Sequence, residues 1–183
     1  MKFYSGFSLQ NESHFFEDFI EDSLYCVCSF SYGAIKALQH TKEMLQKEER
    51  VDRLQLFSPA FFQTKSQKFK RLQMLSYRAN KEMYIQQFIN FCFLPHERKE
   101  VALKETKAEE LQELLEYKWL RSDLVMLRDA GVKIEVYLGS EDKIIDSEAA
   151  REFFLHVATV TYIKNANHFL QTTDYMHLMS KAP

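Results

Sequence analysis

Leu24-Tyr25-Cys26-Val27-Cys28 is an apolar, β-rich run, Ser29-Phe30-Ser31-Tyr32-Gly33 follows it, and Ala34-Ile35-Lys36-Ala37-Leu38 then takes up a helical pattern. The order is strand, sharp turn, helix, with Ser31 at the apex. Small residues two positions to either side, Ser29 and Gly33, let a strand and a helix approach closely around such a turn. The turn would lift the Ser31 hydroxyl clear of a sheet. Taken alone, the same five residues also fit a plain strand-to-helix turn in which Ser31 is the helix N-cap.

Working outward, four more segments read as short buried strands: Lys2–Tyr4, Arg53–Phe57, Ile134–Leu138 and Val160–Ile163. With Leu24–Cys28 they give about five strands, and helical segments fall between them. Ser13–Ile20 places Phe15, Phe16, Phe19 and Ile20 on one face. Tyr32–Lys47 is the helix after the turn, Leu124–Ala130 ends at a capping Gly131, and Ser147–His156 follows the fourth strand. Strand–helix alternation predicts an α/β fold with a parallel sheet. Such sheets bear ligands beyond the carboxyl ends of their strands, so the residues just after each strand are the candidates for chemistry. From about Phe61 to Arg121 the alternation stops and the sequence reads as helix, with a break near Leu94-Pro95-His96. We expect segments 1–60 and 122–183 to form the core and 61–121 a helical lid over the strand ends.

The strand-end residues form a set. Small-x-Ser-x-Gly between strand and helix is a relaxed nucleophile elbow, with Ser29 where glycine is commoner. The Tyr32 N–H would face an oxyanion developing at Ser31, and Ser5-Gly6-Phe7 at the end of the first strand offers the Phe7 N–H as a second donor. Gly139-Ser140-Glu141-Asp142 ends the fourth strand, where a carboxylate can hold a histidine in one tautomer. Asn167-His168-Phe169 follows the fifth. Ser31, Asp142 and His168 occur in the chain order expected of an α/β-hydrolase triad. Singly, Asp142 also fits a turn or helix-capping acid and His168 a turn histidine. Asp146 is a competing acid farther from the strand end.

Composition sets bounds on function. The chain has 183 residues, 46% hydrophobic and 27% charged, which suits one soluble domain with a sizeable core. No apolar run approaches the roughly 20 residues needed to span a membrane. The N-terminus lacks a signal core, so a cytoplasmic protein is expected. Cys26, Cys28 and Cys92 are too few for a disulfide framework or a four-cysteine zinc site and read as buried free thiols. A formal charge of −2 gives no global attraction for nucleic acid or membrane. The expected chemistry requires neither metal nor organic cofactor.

Several runs, taken together, are similar to a known family: Phe3-Tyr4-Ser5-Gly6-Phe7, Asn11-Glu12-Ser13, Phe30-Ser31-Tyr32-Gly33-Ala34-Ile35-Lys36-Ala37, Leu56-Phe57-Ser58-Pro59, Phe69-Lys70-Arg71-Leu72-Gln73, Gly131-Val132-Lys133-Ile134-Glu135-Val136 and Asn167-His168-Phe169-Leu170-Gln171. They resemble the small bacterial BioV-type pimelyl-acyl-carrier-protein methyl ester esterases of biotin synthesis, over most of the chain. The resemblance implies an α/β-hydrolase fold with a reduced sheet, no cofactor, and hydrolysis of a methyl ester on an acyl carrier protein to methanol and a free carboxylate. It implies Ser31 as nucleophile with His168 and Asp142. A basic stretch fits that substrate. Between Gln63 and Lys81 lie Lys65, Lys68, Lys70, Arg71, Arg78 and Lys81 with no acid among them, while Glu97–Glu116 is rich in glutamate. Acyl carrier proteins are acidic, so Lys65, Lys68, Lys70, Arg71 and Arg78 are candidates for docking one; a solvated helix face is the alternative. Phe61, Phe62, Phe69, Leu72, Leu75, Tyr84, Phe88 and Phe91 would either line an acyl channel or fill the core. A thioesterase, a general carboxylesterase and a non-catalytic carrier-protein-binding module are the competing functions.

Overall fold

Five strands pair in parallel in the order β1-β3-β4-β6-β7: β1 (Lys2–Tyr4), β3 (Cys26–Phe30), β4 (Arg53–Phe57), β6 (Lys133–Gly139) and β7 (Thr159–Ile163). A computed structural model describes residues 1–172, so the end of the second core segment, 173–183, lies outside the described residues. The strand residues explain the layering. Leu54 and Leu56 on β4 and Ile134, Val136 and Leu138 on β6 alternate onto one buried face. The opposite face of the same strands carries Gln55, Glu135 and Tyr137, joined by hydrogen bonds from Gln55 Nε2 to Glu135 Oε2 (3.0 Å) and to the Phe19 carbonyl (2.9 Å). Buried polar groups there are therefore partnered, as burial demands.

Helix α1 (Gly33–Gln46) presents Ala34, Ile35, Ala37, Leu38 and Thr41 to the core at helical spacing. Helices α5 (Arg121–Asp129) and α6 (Ser147–Phe154) flank β6 and close the α/β alternation. Between β4 and α5 lie α2 (Gln67–Ala79), α3 (Lys81–Phe93), β5 (Ala102–Leu103) and α4 (Ala108–Glu116). Asn80 separates α2 from α3 by capping Met83 N–H with its side chain, at 3.0 Å.

Three expectations need correction. The segment from 61 to 121 is not helical throughout: β5 pairs antiparallel with β2 (Leu9–Gln10), Leu9 opposite Leu103. Strand β3 begins at Cys26, not Leu24; Leu24 is 87% exposed despite its hydrophobicity, and the strand runs on through Ser29 and Phe30. In place of a helix over Ser13–Ile20 there is a short 3-10 helix, Glu12–Phe16, which starts from Asn11 at φ 61°. Among the described residues no helix is long and apolar enough to cross a membrane. Cys26, Cys28 and Cys92 are buried and free.

Candidate active site

The turn after β3 holds Ser31 at φ 51°, a left-handed conformation that costs a non-glycine residue about 1–3 kcal/mol. Backbone bonds over-determine it. Ser31 N–H donates to the Phe57 carbonyl at 2.9 Å, and the Ser31 carbonyl accepts from Ala34 and Ala60, both at 3.1 Å. Gly33 makes the tight turn possible: a Cβ there would lie 2.0 Å from the Tyr4 carbonyl oxygen. Ser29, where glycine is commoner, is accommodated because its hydroxyl donates to the Gln55 carbonyl at 3.3 Å.

The ends of β3, β6 and β7 bring Ser31, Asp142 and His168 together. His168 Nε2 is 3.0 Å from Ser31 Oγ, and His168 Nδ1 is 2.6 Å from Asp142 Oδ2. Asp142 Oδ1 accepts the N–H groups of Ile144 and Ile145 at 2.7 and 3.1 Å, so both carboxylate oxygens are engaged. The Asp142 and His168 side chains are wholly buried. With the carboxylate at Nδ1, a neutral imidazole carries its proton there and leaves Nε2 free to accept from the Ser31 hydroxyl. The competing acid, Asp146, caps α6 by accepting from Ala149 N–H at 3.1 Å. Gly139 is again a close-approach position, where a Cβ would lie 2.3 Å from the Ala166 carbonyl oxygen in the histidine turn.

Tyr32 follows Ser31 directly in the chain, and the Phe7 ring lies edge-on to the Tyr32 ring at 6.4 Å. Among the described residues, neither N–H has an acceptor. Both side chains are buried, and the Phe7 ring packs on those of Tyr32, Tyr77 and Phe88. Residues invisible to sequence reasoning complete the surroundings. Asn167 is fully buried; it donates to the Phe93 carbonyl at 2.8 Å and accepts from Gln171 N–H at 3.0 Å, fixing the turn that carries His168. Ser8 Oγ meets Thr106 Oγ1 at 2.7 Å, and Tyr77 donates to the Thr106 carbonyl at 2.8 Å, tying the loop after β1 to the insertion.

A cavity of about 350 Å³ lies among α2, α3 and α4, lined by Phe62, Phe69, Phe88, Leu111 and Leu114, and reaches Ile144 beside Asp142. Of the basic residues near it, Lys68, Arg71 and Arg78 are exposed and Lys65 is half-buried. Lys70 departs from expectation. It is 4% exposed and its ammonium sits 3.5 Å from Glu116, so it is not presented to a partner. Lys70 and Tyr77, seven residues apart, share the inward face of α2. Ser31 itself is 2% exposed.

No protein-family model and no curated protein matches the chain. Solved structures do match. The chain is similar to carboxylesterase CesB of Bacillus subtilis (14% identity, 95% of this chain and 66% of that one, TM-score 0.55) and to an esterase of Exiguobacterium antarcticum (14%, 85% and 62%, 0.57). It is also similar to naproxen esterase of Bacillus subtilis (18%, 85% and 57%, 0.51). It spans less than two thirds of the length of each. The parallel five-stranded sheet and these likenesses together give the chain an α/β-hydrolase fold.

Proposed function

We propose that this chain is a serine esterase that cleaves the methyl ester of a dicarboxylic acyl chain, pimelyl, carried on an acyl carrier protein. The observation that carries the esterase reading is the unbroken run of contacts from Ser31 through His168 to Asp142 at three strand ends. A serine hydroxyl is a poor nucleophile until a base takes its proton. His168 Nε2 takes it as Ser31 Oγ attacks the ester carbonyl. Asp142 stabilises the imidazolium. The Phe7 and Tyr32 N–H groups receive the oxyanion. Collapse expels the alcohol, protonated by His168, and leaves an acyl-Ser31. Water, deprotonated by the same imidazole, then releases the acid.

The resemblance to the BioV-type esterases and two features support the finer specificity. The cavity, about 350 Å³, is lined mainly by apolar side chains of the kind that would suit an acyl chain, and among the described residues the only charged one in its lining is Lys143, which is paired with Glu141 at 3.0 Å. Lys68, Arg71 and Arg78 offer exposed positive charge on α2 to an acidic carrier. The test is hydrolysis of pimelyl-acyl-carrier-protein methyl ester by wild type and Ser31→Ala, with products resolved by mass. Conversion by wild type alone, with the thioester intact, is expected. Cleavage of the thioester instead would make the enzyme a thioesterase. Turnover of a simple aryl ester without the carrier substrate would leave a general carboxylesterase.

A further inference from the structure

Glu12 is a carboxylate buried to 1% exposure that the mechanism above does not use. Its Oε1 accepts the Gly6 N–H at 2.6 Å, six residues back in the chain. Its Oε2 is sealed from solvent and has no partner among the described residues. Burying an acid with one oxygen unsatisfied is costly, so the Gly6 bond has to be worth forming. Its location says why. Gly6 immediately precedes Phe7. Ser8, immediately after Phe7, has φ 59° and is held by Thr106 through its hydroxyl and by Lys104 N–H through its carbonyl at 3.1 Å. The Gly6–Phe7 peptide is held directly by the Leu9 N–H, which donates to the Gly6 carbonyl at 3.2 Å, and it is flanked by the Ser8 anchors on one side and by Glu12, through the Gly6 N–H, on the other. Asn11 at φ 61° turns the chain back so that Glu12 reaches Gly6.

We propose that Glu12 is a positioning residue for the oxyanion hole: by holding the Gly6 N–H it fixes the Gly6–Phe7 backbone so that the Phe7 N–H points at the oxyanion formed on Ser31 chemistry. The proposal rests on Phe7 and Tyr32 being the oxyanion donors of a serine esterase. What matters is an acceptor at the reach of a glutamate side chain. Gln keeps that acceptor and that length; Asp keeps the carboxyl group but is one methylene short; Ala removes both acceptor and reach. A misaimed donor weakens only the binding of the tetrahedral state, so kcat falls while KM holds.

The experiment is steady-state hydrolysis of an aryl ester of a short acid by wild type, Ser31→Ala, Glu12→Ala, Glu12→Asp and Glu12→Gln, with thermal midpoints by circular dichroism. A boronic acid that forms a tetrahedral adduct with Ser31 serves as a second probe. Expected are a kcat lower by roughly 10–100-fold in Glu12→Ala and Glu12→Asp with KM within about twofold, boronate affinity reduced by a like factor, and Glu12→Gln within about threefold of wild type. If Glu12→Ala does not fold, the comparison of Glu12→Asp with Glu12→Gln decides. Equal kcat in those two, or a loss that appears in KM alone, overturns the role of Glu12 while wild-type activity stands. A wild type no faster than Ser31→Ala overturns the serine esterase reading itself and the role of Glu12 with it.

Discussion

Tyr32, the residue after the candidate nucleophile, donates its phenolic O–H to Glu113 Oε2 on α4 at 2.5 Å. Its side chain is thereby fastened to the insertion. Lys36, one turn into α1, lies 4.5 Å over the Tyr32 ring and 3.3 Å from Glu110. Two charged contacts therefore join the elbow helix to α4. Burial first, and then the bond to Glu113, raise the Tyr32 phenol well above its ordinary range. A raised folded-state value means the folded protein holds this proton more tightly than the unfolded chain. The resulting stabilisation is present in full below about pH 10, the ordinary phenol value. It is lost as pH rises beyond that point, because the unfolded chain then ionises first. Tyr32→Phe is expected to lower stability by about 1 kcal/mol, Glu113 being exposed, and the thermal midpoint by about 2–4 °C at neutral pH. The difference from wild type should narrow between pH 9 and 11. A gap that widens with pH would contradict it.

Asp142 and Asp146 are four residues apart, yet only Asp142 reaches His168. Asp142→Asn is expected to cut kcat on an aryl ester by about 10³–10⁴-fold, since an amide no longer stabilises the imidazolium or fixes its tautomer. Asp146→Ala should leave kcat within about threefold and lower stability by about 1 kcal/mol through the lost cap of α6. Stopped-flow or plate kinetics on the two variants separates the acids directly. Comparable losses of kcat in both would mean the cap of α6, not the charge of Asp142, controls the histidine.

Basic residues on α2 should divide by burial. Arg71→Glu and Arg78→Glu place charge reversal on exposed side chains. Under the carrier-protein reading they raise KM for the carrier substrate by about three- to tenfold, more at low salt than at high, and leave a free aryl ester untouched. Lys70→Glu instead puts a second carboxylate next to Glu116 in a nearly sealed position. It is expected to destabilise by about 2–3 kcal/mol and to reduce activity on both substrates alike. Thermal midpoints together with the two KM values check this. A selective effect of Lys70→Glu on the carrier substrate would show that Lys70 turns outward in solution.

Much of this arrangement is legible in the sequence because parallel strands, covered on both faces, are short apolar runs ended by turn residues. Ser31, Asp142 and His168 each stand just past such a run. The failures have equally specific causes. Leu24 and Tyr25 extend an apolar run, but exposure depends on where the Asp52 N–H meets the Tyr25 carbonyl, at 2.9 Å, which is a fact of pairing between strands. Strands β2 and β5 are two residues each, too short for any periodicity to register. Lys70 reads as one cation among six until α2 is docked; its heptad relation to Tyr77 was the available signal. Glu12 reads as a solvated acid. Its burial follows from a reverse turn at Asn11 and a bond to Gly6, both set by tertiary placement rather than by composition.

Glycine positions offer the sharpest test of the site's geometry, because the expected order follows from Cβ distances and one backbone angle. At Gly33 a Cβ would lie 2.0 Å from a backbone oxygen of the first strand's end, and at Gly139 it would lie 2.3 Å from a backbone oxygen of the histidine turn. Neither neighbour is a flexible side-chain tip, so backbone must shift at the elbow or at the histidine turn. Gly131 has open space around it but φ 92°, which strains any L side chain. Gly131→Ala is therefore expected to cost about 1–2 kcal/mol and to leave kcat within about twofold, its turn being remote from Ser31 in the chain's layout. Gly33→Ala and Gly139→Ala should cost more than about 3 kcal/mol and, where the protein still folds, reduce kcat by at least about tenfold, since a 1 Å displacement of a reacting group is enough for a loss of that order. Denaturant midpoints rank the stabilities, and active-site titration with an organophosphonate gives the fraction of competent Ser31. A Gly139→Ala protein with wild-type titre and kcat would mean that the β6 end and the histidine turn separate readily in solution.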